Sequence, residues 1–294
     1  MKEHIVKETE NNQKLNKFLG RYLNKAPKSF IHKMLRKKNI TLNNSKADGS
    51  EDIKTGDIIK FFLSNETIEN FKQEEKNHKK SPKLNIVYEN EDMLILNKPS
   101  GLLSVPNNSP EASLIDSIGV YLKNSDFAIV NRLDKNTSGI VICGKNLHSV
   151  QKLNKLIKNR EIKKYYIAIV LGTVKKAGEL VGYHTKDEEK NKAKITKIEK
   201  ENSKQVITRY KPLKNLTSFS GVSTNLTVLE IELVTGKAHQ IRVHLAGIGH
   251  PILGDPKYGN KLINKKHKIE NQLLHAYKVE IEDNIYESKP EWLY

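Results

Sequence analysis

Apolar residues at Leu15, Phe18, Leu19, Tyr22 and Leu23 recur every three or four positions, the spacing that lines one face of a helix. Ala26-Pro27-Lys28-Ser29 interrupts the pattern, and Ser29 is the expected cap of a second helix burying Ile31, Met34 and Leu35. Strand-like pieces follow at 40–42 and 58–63, the second entered through a Thr55-Gly56-Asp57 turn. Residues 64–83 are polar, densely charged and carry Pro82, the profile of a flexible linker. With residues 1–13 read as a polar tail, the first folded unit is expected at 14–63.

Beyond the linker, strand-like runs at 84–88 and 93–96 flank an Asn/Glu/Asp turn. Helical patterns follow at 113–122 and 146–159, the latter with Leu147, Val150, Leu153 and Ile157 turned inward. Residues 165–171 alternate as a strand with Tyr166, Ala168 and Val170 on one face. The lysine-rich stretch 175–204 reads as an irregular hairpin, and 225–234 as another strand. Residues 238–248 fit either period, with stop signals at Gly247, Gly249 and Pro251. Strands and helices do not alternate regularly. The expected class is therefore α+β: a mixed, mainly antiparallel sheet with flanking helices over 84–294, preceded by the small α+β unit.

Composition narrows the partner. At 294 residues the chain can bury a substantial core, and its formal net charge of +17 implies a polyanion, nucleic acid rather than an anionic membrane. Abundant Lys and Asn point to a compositional bias that accounts for part of that charge. Against this background arginine occurs only at 21, 36, 132, 160, 209 and 242. A lysine-preferring sequence keeps arginine where a planar, permanently charged fork is needed. Cys143 is the single cysteine, so no disulfide framework or cysteine-based metal site is expected. Set in Ile140-Val141-Ile142-Cys143, it reads as a small buried apolar residue. No run approaches the roughly 18 apolar residues of a membrane span, and the first ten residues lack a signal-peptide core. A cytoplasmic protein without membrane attachment is expected, with a monomer as the default.

The densest chemistry lies in Asn131-Arg132-Leu133-Asp134-Lys135-Asn136-Thr137-Ser138-Gly139, between two apolar runs. Arg132 and Asp134 are two residues apart and share one face of an extended backbone. Read locally, the stretch is a hairpin turn that Asp134 caps. Three further segments weigh against so plain a reading: Asn97 to Pro106, Lys164 to Gly172, and Thr235 to Leu245 continuing through Gly254-Asp255 and Tyr258-Gly259. In order and content these four resemble the motifs of the pseudouridine synthases that act on large-subunit rRNA and some tRNAs. The nine-residue stretch matches that family's His-Arg-Leu-Asp-x-x-Thr-Ser-Gly signature in all but its first position, where Asn131 stands. The resemblance also favours a helix at 238–248.

It implies isomerisation of uridine to pseudouridine in structured RNA, most simply large-subunit rRNA, with tRNA the other candidate. That reaction is redox-neutral, so no cofactor is implied. It needs an ionised carboxylate and a base for the final proton. The resemblance makes Asp134 the nucleophile, Arg242 its partner, and Tyr166 the residue that stacks on the base and accepts the proton. By its own pattern Tyr166 also fits a buried core tyrosine. Arg132 is expected to fill the space left by a flipped base or to bind phosphate. His239, His244 and His250 are spaced by 5 and 6, not the i, i+4 pair of a helical metal site, so no metal is expected. His275 reads as structural.

The two helices and small β element at 14–63 resemble the RNA-binding module first described in a small-subunit ribosomal protein. They depart from it at Asn16, where an acidic residue is usual. Lys33, Arg36, Lys37 and Lys38 on the second helix are the candidate RNA contacts, and a solvated helix face explains them equally well. The competing functional class is a catalytically silent RNA-binding protein of the same fold acting in ribosome assembly. Intact Arg132, Asp134 and Arg242 argue against it.

Overall fold

The computed structural model describes residues 2–71, 83–107, 111–187 and 192–293. They divide into two units, Met1–Lys80 and Ser81–Tyr294.

In the first unit the helices Leu15–Tyr22 and Lys28–Arg36 bury the apolar faces their spacing announces: Leu15, Phe18 and Leu19 on one, Ile31, Met34 and Leu35 on the other. The cap differs from expectation. Pro27 is the N-cap residue and Ser29 lies inside the first turn, because the fixed backbone angle of proline already sets the entry. The helix ends at Arg36, so Lys37 and Lys38 follow it rather than lie on its outer face. Lys38 takes a left-handed φ of 58°, its N–H bonding to Leu35 and that of Asn39 to Met34.

Two expected boundaries move. Residues Lys2–Ile5 are a strand paired antiparallel with Ile58–Phe61, because Val6 is buried in the core and draws the chain start in with it. At the other end Asn65–Phe71 is a helix rather than linker; Ile68 is buried and Phe71 packs on Phe30 with ring centroids 4.3 Å apart. The rest of the expected linker, 72–82, lies outside the described residues.

The second unit is α+β. Among the described residues eleven strands share one sheet. Its main path runs Lys192–Thr196, Gly178–Asp187, Lys204–Phe219, Val222–Leu233, Lys163–Leu171, Leu274–Ile281, Ser138–Gly144, Met93–Lys98 and Ile86–Glu89. Every described pair is antiparallel except Ser138–Gly144 with Leu274–Ile281. The unbroken apolar run 140–143 reflects burial on both faces. Val141 and Cys143 join Ile118, Ile241 and Leu245 on one side, while Ile140 and Ile142 join Leu153 and Val279 on the other. Leu147, expected inside, is 48% exposed; it opens the Leu147–Lys158 helix, whose buried residues are Ser149 and Leu153.

Within 175–204, the strands Gly178–Asp187 and Lys192–Thr196 pair antiparallel with no shift of register, where the sequence predicts an irregular hairpin. The long strand Lys204–Phe219 has no counterpart among the elements the sequence predicts. Its side chains are mostly exposed, so hydrophobic alternation does not mark it, and pairing with strands on both sides holds it extended. Residues 240–247 are the short helix that the stop signals favoured.

Candidate active site

Residues 131–137 of the signature stretch do not lie on a strand, and only its last two residues enter one. The preceding strand is only Ala128–Ile129, and Arg132 and Asp134 sit in the loop before Ser138–Gly144. Their relative placement comes from anchoring, not from strand alternation. Asn131 is spent on that anchoring: its side chain donates to Ile140 O at 3.1 Å and accepts from Ile142 N at 2.7 Å. Gly139 explains itself by close approach. A Cβ there would lie 2.3 Å from Ala276 O, so only glycine lets the loop's exit press against Leu274–Ile281.

The segment Lys98–Ser104 clasps the same loop. Lys98 is fully buried, and its Nζ donates to the carbonyl oxygens of Pro99, Leu102 and Lys135 at 2.9, 2.7 and 3.0 Å. Burial pushes its pKa down to about 7, with the charge of Asp134 acting the other way. Ser100 donates to Asn136 O, and Ser104 both donates to Leu133 O and accepts from Leu133 N. Asp134 is thereby gripped on either side.

The Gln240–Gly247 helix brings Arg242 to Asp134. Nη1 donates to Asp134 Oδ2 at 2.7 Å, while Nε and Nη2 make a bidentate pair with Asp255 at 2.7 and 2.8 Å. Asp255 is fully buried, and its Oδ1 also accepts from the backbone N–H of Lys257 and Tyr258. Burial pushes that carboxyl upward, but the hydrogen bonds and charge of Arg242 outweigh it and hold the pKa below the usual range. Burial opposes the charged guanidinium as well; the two carboxylates overcome it and raise its pKa. Arg242 is therefore a permanently charged fork with one edge committed to Asp255 and the other presented to Asp134. Gly254 makes this possible: at φ 82° it passes so close to Asn271 that a Cβ would fall 2.1 Å from Asn271 O.

Tyr166 is buried on Lys163–Leu171, where the register against Leu274–Ile281 shifts between Tyr165 and Tyr166. The residue left out of register is Tyr277 on the partner strand. Burial first and the charge of Asp134 second raise its pKa, so the hydroxyl keeps its proton. His239 completes the cluster, with Nε2 3.9 Å from Asp134 Oδ2 and Nδ1 2.9 Å from the Tyr258 hydroxyl.

Asp134, Tyr166, Arg242, Arg132 and His239 all line one cleft of about 1270 Å³. Its wall also carries Lys158, Arg160, Lys164 and Lys237, a cationic lining suited to a nucleic-acid backbone. Lys33, Arg36, Lys37 and Lys38 are exposed and belong to the first unit. His244 and His250 bond separately, to Thr208 Oγ1 and Leu171 O. His275 links Ser138 Oγ to Ser288 O. Sequence reasoning gave no role to Lys98, Asp255 or Tyr258, although all three stand inside the motifs quoted above. A lysine before proline and an acid after glycine carry no local sign of burial.

The sequence pattern of the family described as RNA pseudouridylate synthase matches residues 92–247. A protein of Rickettsia conorii named ribosomal large subunit pseudouridine synthase C is 37% identical over 292 residues, covering 95% of this chain and 92% of its own. One of that name from Vibrio parahaemolyticus is 28% identical, covering 96% and 87%. Among solved structures, human RNA pseudouridylate synthase domain containing 1 superposes with a TM-score of 0.60 at 22% identity, covering 71% of this chain and 84% of its own. The chain belongs to the RNA pseudouridylate synthase family, and it is an isomerase that turns uridine in RNA into pseudouridine.

Proposed function

We propose that the substrate is large-subunit ribosomal RNA and that Asp134 is the nucleophilic carboxylate. The observation that carries the assignment of Asp134 is its single charged bond to Arg242, which Asp255 holds in place from behind. In this reading Asp134 attacks the glycosidic carbon of the target nucleotide and bonds to it as the base detaches; the base turns and rejoins through carbon 5, displacing Asp134 and restoring its carboxylate. Tyr166, which lines the same cleft, stacks on the base, and its hydroxyl oxygen takes the last proton as the hydroxyl passes its own proton on to water in the cleft. Arg132 is exposed on the rim and has no carboxylate partner among the described residues, so it occupies the gap left by the flipped base or meets a phosphate. The relatives named for the large ribosomal subunit, matched along nearly their whole length, support rRNA over tRNA. The first unit, through Lys33, Arg36, Lys37 and Lys38, adds phosphate contacts outside the cleft. The protein acts as a monomer and without a cofactor.

The test is isomerisation of a large-subunit rRNA transcript by the purified chain with nothing added, read by pseudouridine mapping. Mapping RNA from cells with and without the gene then identifies the uridine. Asp134→Asn keeps the size and removes the charge. It should abolish turnover while leaving RNA affinity within a few-fold. Turnover by a homogeneous Asp134→Asn preparation would falsify the assignment. RNA binding without turnover by the unaltered chain would favour the silent, assembly-factor reading instead.

A further inference from the structure

His239 opens the Gln240–Gly247 helix from a left-handed backbone, φ 57°, which sets its ring beside Asp134. Two hydrogen bonds behind the ring decide which nitrogen carries its proton. The N–H of Ala193 donates to the Tyr258 hydroxyl at 2.8 Å, and that hydroxyl is 2.9 Å from His239 Nδ1. The hydroxyl accepts from Ala193, so its own proton needs an acceptor, and Nδ1 is the one in reach among the described residues. The neutral ring then carries its hydrogen on Nε2, the nitrogen facing Asp134. Burial holds the ring's pKa below its ordinary value; Asp134 and Asp255 act upward, Arg242 and Lys257 downward.

The donor Nε2–H and the acceptor Oδ2 are 3.9 Å apart, too far for a hydrogen bond between them. An oxygen seated between them at about 2.8 Å from each would satisfy both. A carbonyl or phosphate oxygen does not fit, since its lone pairs would face those of Asp134. A hydroxyl does: it accepts from Nε2–H and donates to Oδ2. Within an RNA strand each ribose has one free hydroxyl, the 2′, because the others are esterified, and it is the group that separates RNA from DNA.

We propose that His239 and Asp134 together read the 2′-hydroxyl of the target uridine, with His239 as the donor and Tyr258 as the residue that positions its ring. This rests on the reading of Asp134 as the carboxylate that meets the target ribose.

The test compares a synthetic RNA carrying the mapped uridine with the same RNA holding 2′-deoxyuridine there, using the full-length chain in single turnover. His239→Asn tolerates the left-handed backbone but carries no donor at the Nε2 position, whereas His239→Gln places its amide nitrogen near it. His239→Asn should lower kcat/KM for the ribose substrate by about 5- to 100-fold, the cost of leaving a buried hydroxyl without its partner. It should change the 2′-deoxy substrate by less than about threefold, because the bond is already absent. If the 2′-deoxy RNA is not turned over, its inhibition constant against the ribose substrate supplies that arm. His239→Gln should recover most of the loss. Tyr258→Phe should show a smaller loss with the same dependence on the sugar, and it carries the comparison if His239→Asn does not fold. Equal penalties on both sugars, or no penalty at all, overturn the proposal. Failure of the unaltered chain to isomerise the ribose RNA would instead overturn the functional reading beneath it.

Discussion

Arg242 divides its guanidinium between two carboxylates of different kinds, one fully buried and one 28% exposed at the cleft. That division makes it more than a source of positive charge. Arg242→Lys keeps the charge but has no fork to satisfy Asp255 and Asp134 at once. Turnover should fall by at least about tenfold and fold stability should drop as well, since a buried acid is left short of a partner. Asp255→Asn removes the charge that fixes the fork from behind without touching Asp134. It should lower kcat more than it raises KM. Wild-type kcat in either variant would show that the fork does not set the geometry of Asp134.

At the scale of elements, the loop bearing Asp134 is held by neighbours rather than by its own strand. Lys98→Met preserves length and apolar bulk but leaves three carbonyl oxygens without a donor. We expect a drop of about 2–4 kcal/mol in unfolding free energy with a matching fall in turnover, checked by denaturant melts and single-turnover rates. Unchanged stability would mean that the clasp is replaceable by water. A second expectation concerns acid. His275 bridges Ser138 to the C-terminal segment, and burial lowers its pKa from 6.5 to about 4. The unfolded chain therefore binds a proton below about pH 6.5 that the folded chain refuses until about pH 4. Stability should be level above neutrality and fall through that window, by roughly 3 kcal/mol at its acid end for this group. The melting temperature followed from about pH 7.5 to 4 in wild type and His275→Gln checks it: the variant should show a shallower decline.

For the whole molecule the question is what the first unit contributes. Lys33, Arg36, Lys37 and Lys38 are exposed and have no acid–base chemistry to perform. Replacing all four by Gln should weaken binding of a long RNA. The logarithmic salt dependence of that binding should become shallower by about 0.7 for each single-strand phosphate that the protein no longer neutralises. Turnover at saturating RNA should stay near wild type. A chain starting at Leu84 should behave likewise, because it keeps the whole cleft. Unchanged affinity and salt slope in the quadruple variant would reduce these residues to a solvated face.

What the sequence determined by itself is whatever is written in short spacings. The helical stripes at 15–23 and 31–35 and the alternation at 165–171 announce burial because each residue's partner face is set by a local period. The four motifs carry Asp134, Tyr166 and Arg242 as candidates on their residues alone. Tertiary structure decided the rest. Arg242 and Asp134 are 108 residues apart, and their pairing depends on two glycines that let strands and loops approach within distances a Cβ would forbid. Asp255 and Lys98 look like surface residues in a chain this highly charged; only the closed core shows that their surroundings leave no water to solvate them. The long polar strand 204–219 is extended because its neighbours pair with it, and the His239 ring meets the Tyr258 hydroxyl only because the fold brings Ala193 and Tyr258 together. Local pattern records which side of a segment avoids water, whereas the partner of a buried charge depends on register and close approach across the whole sheet.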